Sequence, residues 1–189
     1  SDFDQNGTKE QIICQQVDGQ YYPIADKDEL IKQLPSLKKQ LVYFKDYANK
    51  TIEDLFPQEV LETAEILEVD ERKTGIFYNE NGQFKFKALP SEAQYGPVYA
   101  ILTDDVNEDG KLDVILGGNQ YLVKPQFGRY DAMKGLILFG SDDGFQSNKL
   151  EFLNIDGQIR QIEKTRIEGT LKYLFIINNG KMLTYEKEN

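Results

Sequence analysis

The sequence predicts a mainly β fold with an α-helical insertion, and two patterns indicate it. Short runs of β-branched, aromatic and apolar residues recur along most of the chain, with turn residues about every ten positions. In one stretch near the N-terminus, leucines instead repeat at three- and four-residue steps, the spacing of an amphipathic helix. The 189 residues are 40% hydrophobic and include 11 Tyr and 11 Phe, enough for a domain with its own core.

The charge balance excludes several classes of protein. There are 32 acidic against 22 basic residues, a net charge of −10, so binding to phosphate backbones is disfavoured and we expect no nucleic-acid partner. The chain has no histidine, which removes Ser-His-Asp and Cys-His catalysis and the usual zinc ligands. A carboxylate-pair hydrolase remains open in principle, but we predict no catalytic residues and no enzyme in this chain.

No apolar run approaches the roughly 18 residues of a membrane span, and no charged-then-apolar leader is present. The sequence therefore predicts no membrane span. It also opens on an acidic loop with no strand before it, which we interpret as a piece of a longer protein.

The first predicted region covers residues 1–25. Strands are expected over 10–16 and 20–24, because Val17-Asp18-Gly19 between them is a strong hairpin signal. We interpret this region as a partial first blade of a larger β assembly.

Residues 26–63 form the predicted helical insertion. Asp26 and Glu29 have the spacing of a capping box, and Pro35 divides the pattern into two short helices. Thr51 and Pro57 are expected to begin further helical turns. The insertion is either a packing decoration over a sheet edge or a partner-binding subdomain. Its apolar stripe is Leu30, Leu34, Leu37, Leu41 and Phe44.

The third predicted region, 64–189, returns to strands. Strands of this length with frequent turns are typical of propeller blades or of a sandwich. The expected strands are 65–69, 74–78, 84–89, 98–103, 114–116, 135–139, 150–153, 158–167, 171–177 and 181–185.

The most informative motif lies between two of these strands. A hard cation such as Ca²⁺ takes about six to eight oxygen ligands, and a tight loop aims alternate side chains at one point when a glycine turns the chain. Gly110 occupies that position. The expected ligands are the side chains of Asp105, Asn107, Asp109 and Asp113 and the carbonyl of Lys111.

The motif is not an EF-hand. An EF-hand loop ends in a bidentate Glu at its twelfth position and lies between helices, whereas the twelfth position here is Leu116 and both flanks are strand-like. We therefore expect the cation to lie in a loop that joins two antiparallel strands.

A degenerate second copy of the motif opens the chain. Gly7 stands at the position of the first motif's glycine, and a glutamate replaces the closing aspartate. The alternative is a solvated acidic turn without metal. The expected ligands are Asp2, Asp4, Asn6, Thr8 and Glu10.

The motif Asp105-x-Asn-x-Asp-Gly-x-x-Asp, followed by Gly117-Gly118-Asn119, resembles the FG-GAP/VCBS repeat. That resemblance implies a partial β-propeller of about two to three antiparallel blades that bind Ca²⁺. Residues 89–138 resemble, more narrowly, the C-terminal portion of large secreted or surface bacterial proteins. The resemblance implies an adhesion or recognition role and an extracellular, periplasmic or cell-surface location.

A long connection within the predicted calcium blade is a candidate ligand-binding loop. It concentrates Tyr121, Arg129, Tyr130 and Asp131, and such side chains stack on sugars or anchor protein surfaces. The alternative is that Arg129 pairs with Asp131 and the tyrosines pack over the blade.

Two function classes remain open from the sequence. The first is a calcium-binding recognition or adhesion module with a glycan or protein ligand. The second is a structural C-terminal end-piece of a propeller whose binding or catalytic site lies on upstream blades. Fewer blades than the four to eight of a closed ring also predict self-association through open sheet edges.

Overall fold

The computed structural model describes residues 1–142 and 144–186 and divides the chain into two compact units. The first is Ser1–Asp70, and the second begins at Glu71. Antiparallel sheets dominate, together with short helices, so the prediction of a mainly β fold with a helical segment is confirmed. Within the described ranges no sheet closes on itself.

The first unit contains the predicted hairpin, β1 (Cys14–Val17) and β2 (Gln20–Pro23). Asp18 and Gly19 turn the chain with φ of 50° and 81°, as a two-residue hairpin loop requires. The first strand begins later than predicted, although the Ile24 amide still donates to the Ile13 carbonyl.

The helical segment is α1 (Lys27–Gln33), two 3₁₀ turns at Pro35–Lys39 and Phe44–Asp46, α2 (Ile52–Leu55) and α3 (Gln58–Leu61). The predicted capping box at Asp26 and Glu29 is present, and Thr51 caps α2 in the same way. These caps satisfy amides that a short helix leaves unpaired.

The predicted apolar stripe is confirmed for its four leucines, which are buried in the core of this unit. It is wrong for Phe44, which is 64% exposed. The regular helix has ended before that residue, and the Lys27 ammonium lies 4.8 Å from its ring centroid.

The predicted strand over 65–69 is wrong. No strand forms there, and the side chains of Ile66, Leu67 and Val69 are 71–84% exposed. The residues have strand propensity, but a strand needs a hydrogen-bonding neighbour, and none is present in the part of the chain that the structure describes.

The second unit contains the remaining strands in three sheets. The hairpin β3–β4 stands alone, strands β5 to β8 pair in sequential order, and β9 to β11 do the same. The bounds are β3 (Gly75–Glu80), β4 (Gln83–Ala88), β5 (Val98–Asp104), β6 (Asp113–Gly118), β7 (Leu136–Ser141), β8 (Gly144–Phe152), β9 (Gln158–Ile167), β10 (Thr170–Asn178) and β11 (Leu183–Tyr185).

Strand β6 is the centre of the second unit, since all six of its residues are buried. One core cluster joins Ile115 to β9 and β10 through Ile159 and Phe175, and another covers Leu116 on the opposite face. A Cβ on Gly117 would lie 2.5 Å from the Ile159 side chain, so the glycine permits this close packing. The two loops at the ends of β6 are therefore held by a well-packed strand.

Among the described residues, no helix has the length and apolar character required to cross a membrane.

Candidate cation-binding loops

The loop at Asp105 connects β5 to β6, and it closes where Asp104 pairs with Asp113. The Asp105 carboxylate organises it: Oδ1 accepts the Asp109 amide at 3.0 Å and Oδ2 accepts the Gly110 amide at 2.9 Å. Gly110 has φ of 83°, the left-handed conformation that glycine adopts without strain. The first expected ligand is thus also the loop's internal brace.

The middle of this loop is closed by an amide. Asn107 Oδ1 accepts the Asp109 backbone N–H at 3.1 Å, and Asn107 Nδ2 donates to Asp109 Oδ2 at 2.8 Å. The other Asp109 oxygen accepts the Lys111 amide. Hydrogen bonds from Asn107 and from the backbone lower the pKa of Asp109, because they stabilise its charged form.

Asp113 fastens the loop to the sheet. It is fully buried, and its two oxygens accept the backbone N–H groups of Val106 and of Gly140, each at 2.8 Å. Gly140 belongs to β7, so one carboxylate joins the loop to a neighbouring strand. Val106 is itself buried in the core, which places an apolar plug at the second position of the motif.

The residue before the motif adds a further anchor. Asp104 accepts hydrogen bonds from Lys164 Nζ at 2.6 Å and from the Tyr173 hydroxyl at 2.7 Å. Burial alone would raise the pKa of Asp104, but these donors outweigh it and the pKa is lowered. Burial, followed by the Asp104 hydrogen bond, raises the pKa of Tyr173. Sequence reasoning missed both partners, which lie on β9 and β10.

The loop at Asp2 has the same geometry 103 residues earlier. Asp2 Oδ1 accepts the Asn6 amide at 3.0 Å and Oδ2 accepts the Gly7 amide at 2.8 Å. Asn6 Oδ1 accepts the Thr8 amide, as Asp109 accepts that of Lys111. The fifth and seventh motif residues therefore serve the same roles in both loops.

The closure of the Asp2 loop also matches. The Glu10 amide donates to the Ser1 carbonyl at 2.8 Å, which corresponds to the pairing of Asp104 with Asp113. Glu10 Oε2 accepts the Phe3 amide at 3.1 Å, as Asp113 accepts that of Val106. The Phe3 ring packs 4.6 Å from the Phe56 ring centroid, so the second position is an apolar plug here too.

The two loops differ in how their oxygens are arranged. In the Asp2 loop, one carboxylate oxygen from each of Asp2, Asp4 and Glu10 lies within 4.8 Å of the others. That separation is about twice a Ca²⁺–oxygen bond length, so the three carboxylates form a group that could hold one metal ion. Asp4 Oδ1 is buried without a hydrogen-bond partner, and an orphan buried oxygen is costly unless something pairs with it.

In the Asp105 loop, the acidic side chains do not form such a group within the described residues. The third position is an amide, and its Nδ2 group occupies Asp109 Oδ2. All four predicted side-chain ligands lie in one loop. For Asp109 Oδ2 to bind an ion together with the others, its hydrogen bond from Asn107 Nδ2 must first break.

The other predicted site residues lie as follows. Thr8 is exposed, and its backbone N–H donates to Asn6 Oδ1. The Lys111 ammonium forms an ion pair with Asp142 at 2.9 Å. Arg129 stacks on the Tyr121 ring at 3.8 Å from its centroid, and its Nε lies 4.0 Å from Asp131 Oδ2.

Tyr130 closes the predicted ligand-binding loop, because its backbone forms two hydrogen bonds of 2.9 Å with Gln120. Its side chain remains 44% exposed. The structure brings Tyr121, Arg129 and Asp131 together as neighbours and leaves Tyr130 on a separate hollow, described below.

Comparison with protein-family models, with curated proteins and with solved structures found no match for this chain. The resemblance to the FG-GAP/VCBS repeat thus stays a prediction from the motif residues.

Proposed function

We propose that this chain is a calcium-binding, non-enzymatic recognition module of an exported protein, with one Ca²⁺ in each of the two loops. The observation that carries the proposal is the repetition of one hydrogen-bonded loop at Asp2 and at Asp105, with acidic or amide oxygens at matching positions. Three of the proposed ligands in each loop are carboxylates, whose mutual repulsion a divalent cation relieves. Oxygen-only donors suit Ca²⁺ rather than a transition metal.

The sheet order supports a propeller-like arrangement. Strands β5, β6, β7 and β8 pair in the order in which they occur in the chain, which is how the four strands of one blade are joined. In this interpretation β9 to β11 belong to a further blade and the Ca²⁺ in the Asp105 loop braces the first two strands of its blade. The exposed edges that an open set of blades leaves favour association with further copies or further blades.

The two loops make calcium binding testable by stoichiometry. Isothermal titration calorimetry of the EDTA-treated, dialysed protein is expected to give two ions per chain, with dissociation constants of about 10⁻⁴–10⁻³ M, as for extracellular modules. Extracellular calcium suits such affinities. Asp4→Asn removes one charged ligand and is expected to reduce the stoichiometry to one.

Asn107→Asp is the converse change. It replaces the amide that holds Asp109 with a carboxylate, so we expect tighter Ca²⁺ binding in the Asp105 loop and lower stability in EDTA. Asp18→Asn, on the hairpin turn of the first unit, is the control and leaves both sites intact. No heat of binding at 5 mM Ca²⁺, or two sites retained in Asp4→Asn, would contradict the assignment.

A further inference from the structure

A hollow of about 400 Å³ in the second unit is lined by tyrosine, amide and guanidinium side chains. We call it the tyrosine cleft and define it by Arg72, Gln94, Tyr95, Tyr99, Gln120 and Tyr130. Its volume falls within the range of small-molecule sites. Of the residues predicted as a ligand-binding loop, Tyr130 alone lines it.

All three tyrosines are accessible, and the rings of Tyr95 and Tyr99 are also held in place. Tyr95, Tyr99 and Tyr130 are 44–51% exposed. The Tyr95 ring is stacked on Phe152 with an angle of 7° between planes, and the Arg160 guanidinium lies 4.2 Å from the Tyr99 ring centroid. Rings fixed in this way offer a ligand contact area at a low cost in conformational entropy.

The tyrosine hydroxyls are available for a polar ligand. Within residues 1–142 and 144–186, none of the three hydroxyls forms a hydrogen bond to the protein. A ligand that presents both flat apolar faces and many hydroxyls matches such a surface, and a sugar ring has both.

The amides of the cleft are already positioned. Gln94 accepts the Thr74 amide at 2.8 Å and donates to the Thr74 and Leu89 carbonyls. Gln120 Oε1 accepts from Arg160 Nη2 at 3.1 Å, and Gln120 Nε2 donates to the Leu122 carbonyl. The walls are therefore organised before any ligand arrives, which reduces the cost of binding.

The charge of the cleft is opposite to that of the chain. Among the residues that the structure describes, no Asp or Glu lines it, although the chain has 32 acidic residues. In the described part of the chain, the Arg72 guanidinium has neither an ion pair nor a hydrogen bond. Arg160 donates to neutral oxygens, those of Asn119, Ile159, Gln120 and Gln158.

We propose that the tyrosine cleft binds an acidic saccharide, with sugar rings against the tyrosines and its carboxylate or sulfate on Arg72. A guanidinium binds a planar carboxylate or a sulfate through paired N–H donors. The inference rests on the recognition role proposed above and gives that role a site and a ligand class.

The test uses calorimetry in EDTA, because uronic acids themselves bind Ca²⁺. The probes are trigalacturonate for the carboxylate, a κ-carrageenan tetrasaccharide for the sulfate, maltotriose as the neutral sugar and AMP as a nucleotide anion. We expect one of the two acidic probes to bind at least tenfold more tightly than maltotriose and AMP, and the probe that binds identifies the anion.

Two variants assign the contact. Arg72→Ala is expected to weaken the acidic probe about tenfold and to leave maltotriose unchanged, and Tyr99→Ala is expected to weaken both. Arg166→Ala is the matched control, since it removes an exposed guanidinium from the β9–β10 hairpin and leaves binding unchanged. Circular dichroism and the melting temperature confirm that each variant is folded.

Four outcomes overturn the proposal: no binding of either acidic probe, equal binding of maltotriose, tighter binding of AMP, or unchanged affinity in a folded Arg72→Ala. If the saccharide fails while two Ca²⁺ ions still bind, the calcium assignment stands alone. If the saccharide binds and calcium does not, the cleft assignment stands without the metal loops.

Discussion

The loops at Asp2 and at Asp105 share one backbone design but differ in what surrounds it. Both are braced by an aspartate that accepts two amides, turned by a glycine with φ above 80°, and plugged by an apolar second residue. The Asp105 loop is additionally fastened to β7 through Asp113, whereas the carboxylate of the corresponding Glu10 accepts the amide of Phe3 within its own loop. The same motif is thus embedded in a sheet in one place and closes on itself in the other.

The two loops therefore differ in how far their carboxylates stabilise the fold and how far they are left to bind an ion. In the Asp105 loop, the buried Asp113 carboxylate accepts the backbone N–H groups of the loop residue Val106 and of the β7 residue Gly140, so that carboxylate stabilises the fold as well as any ion. In the Asp2 loop, the third position is a carboxylate with an orphan oxygen. The stability of this loop is therefore expected to depend more strongly on a bound cation.

The largest test of this comparison is the closing carboxylate. Asp113→Ala leaves two buried N–H groups without acceptors and is expected to lower the free energy of unfolding by about 3 kcal/mol. Glu10→Ala leaves one and is expected to cost about 1 kcal/mol. Urea unfolding in EDTA measures both, and Asp131→Ala is the exposed control in the second unit. Equal losses at the two positions would remove the distinction between the loops.

The turn glycines test what the loops share. Gly7 and Gly110 have φ of 88° and 83°, and a Cβ at either position meets no atom within 4 Å. Alanine therefore costs only backbone strain, about 1 kcal/mol in each loop. Thermal melting of Gly7→Ala and Gly110→Ala in EDTA measures the two costs. A loss in one variant that is several times the loss in the other would show that the backbones are not equivalent.

An effect of similar size, which disappears at high pH, is expected at the Asp104–Tyr173 hydrogen bond that anchors the Asp105 loop. The folded protein raises the pKa of Tyr173, so the stability that its protonated hydroxyl contributes is complete below the unfolded tyrosine pKa of about 10. That contribution is lost as the pH rises above this value. Tyr173→Phe removes it and costs about 1 kcal/mol at pH 7.

Urea unfolding at pH 7, 9 and 10.5 is expected to show the difference between wild type and Tyr173→Phe shrinking at the highest pH. In the Asp2 loop, Ser1 takes the position of Asp104, and its hydroxyl lies 3.2 Å from Thr63 Oγ1. Thr63→Val therefore gives a comparison without this pH dependence. A constant difference for Tyr173→Phe would contradict the raised pKa.

Local signals in the sequence predicted much of the fold. Asp18-Gly19 makes a hairpin turn, Asp26 and Glu29 cap α1, and Thr51 begins α2, as expected. Each depends on interactions between residues close in the chain. The stretch over 65–69 failed because a strand also depends on a distant partner, which propensity does not encode.

The candidate sites divide in the same way. Both acidic loops were predicted from residue spacing alone, because in each loop the first aspartate accepts the backbone N–H groups of the residues four and five positions ahead. The tyrosine cleft was missed, since Arg72, Tyr99 and Tyr130 are far apart in the chain and lie together only in the tertiary structure, and Arg160, which stacks on Tyr99, lies on β9. Tyr121 and Arg129 were predicted to contact a ligand, but in the structure the Arg129 guanidinium stacks on the Tyr121 ring.

Neighbouring residues and composition were enough to predict the hairpin turn at Asp18-Gly19, the helix caps at Asp26 and Thr51 and the positions of both acidic loops, and to exclude histidine chemistry. Three features depend instead on the tertiary structure: the hydrogen bond from the β7 amide of Gly140 to Asp113, the orphan oxygen of Asp4, and the tyrosine cleft, whose lining among the described residues includes Arg72 and no carboxylate. The physical reason is that burial and charge pairing depend on residues far apart in the chain, which the packing of β6 against its neighbours brings together.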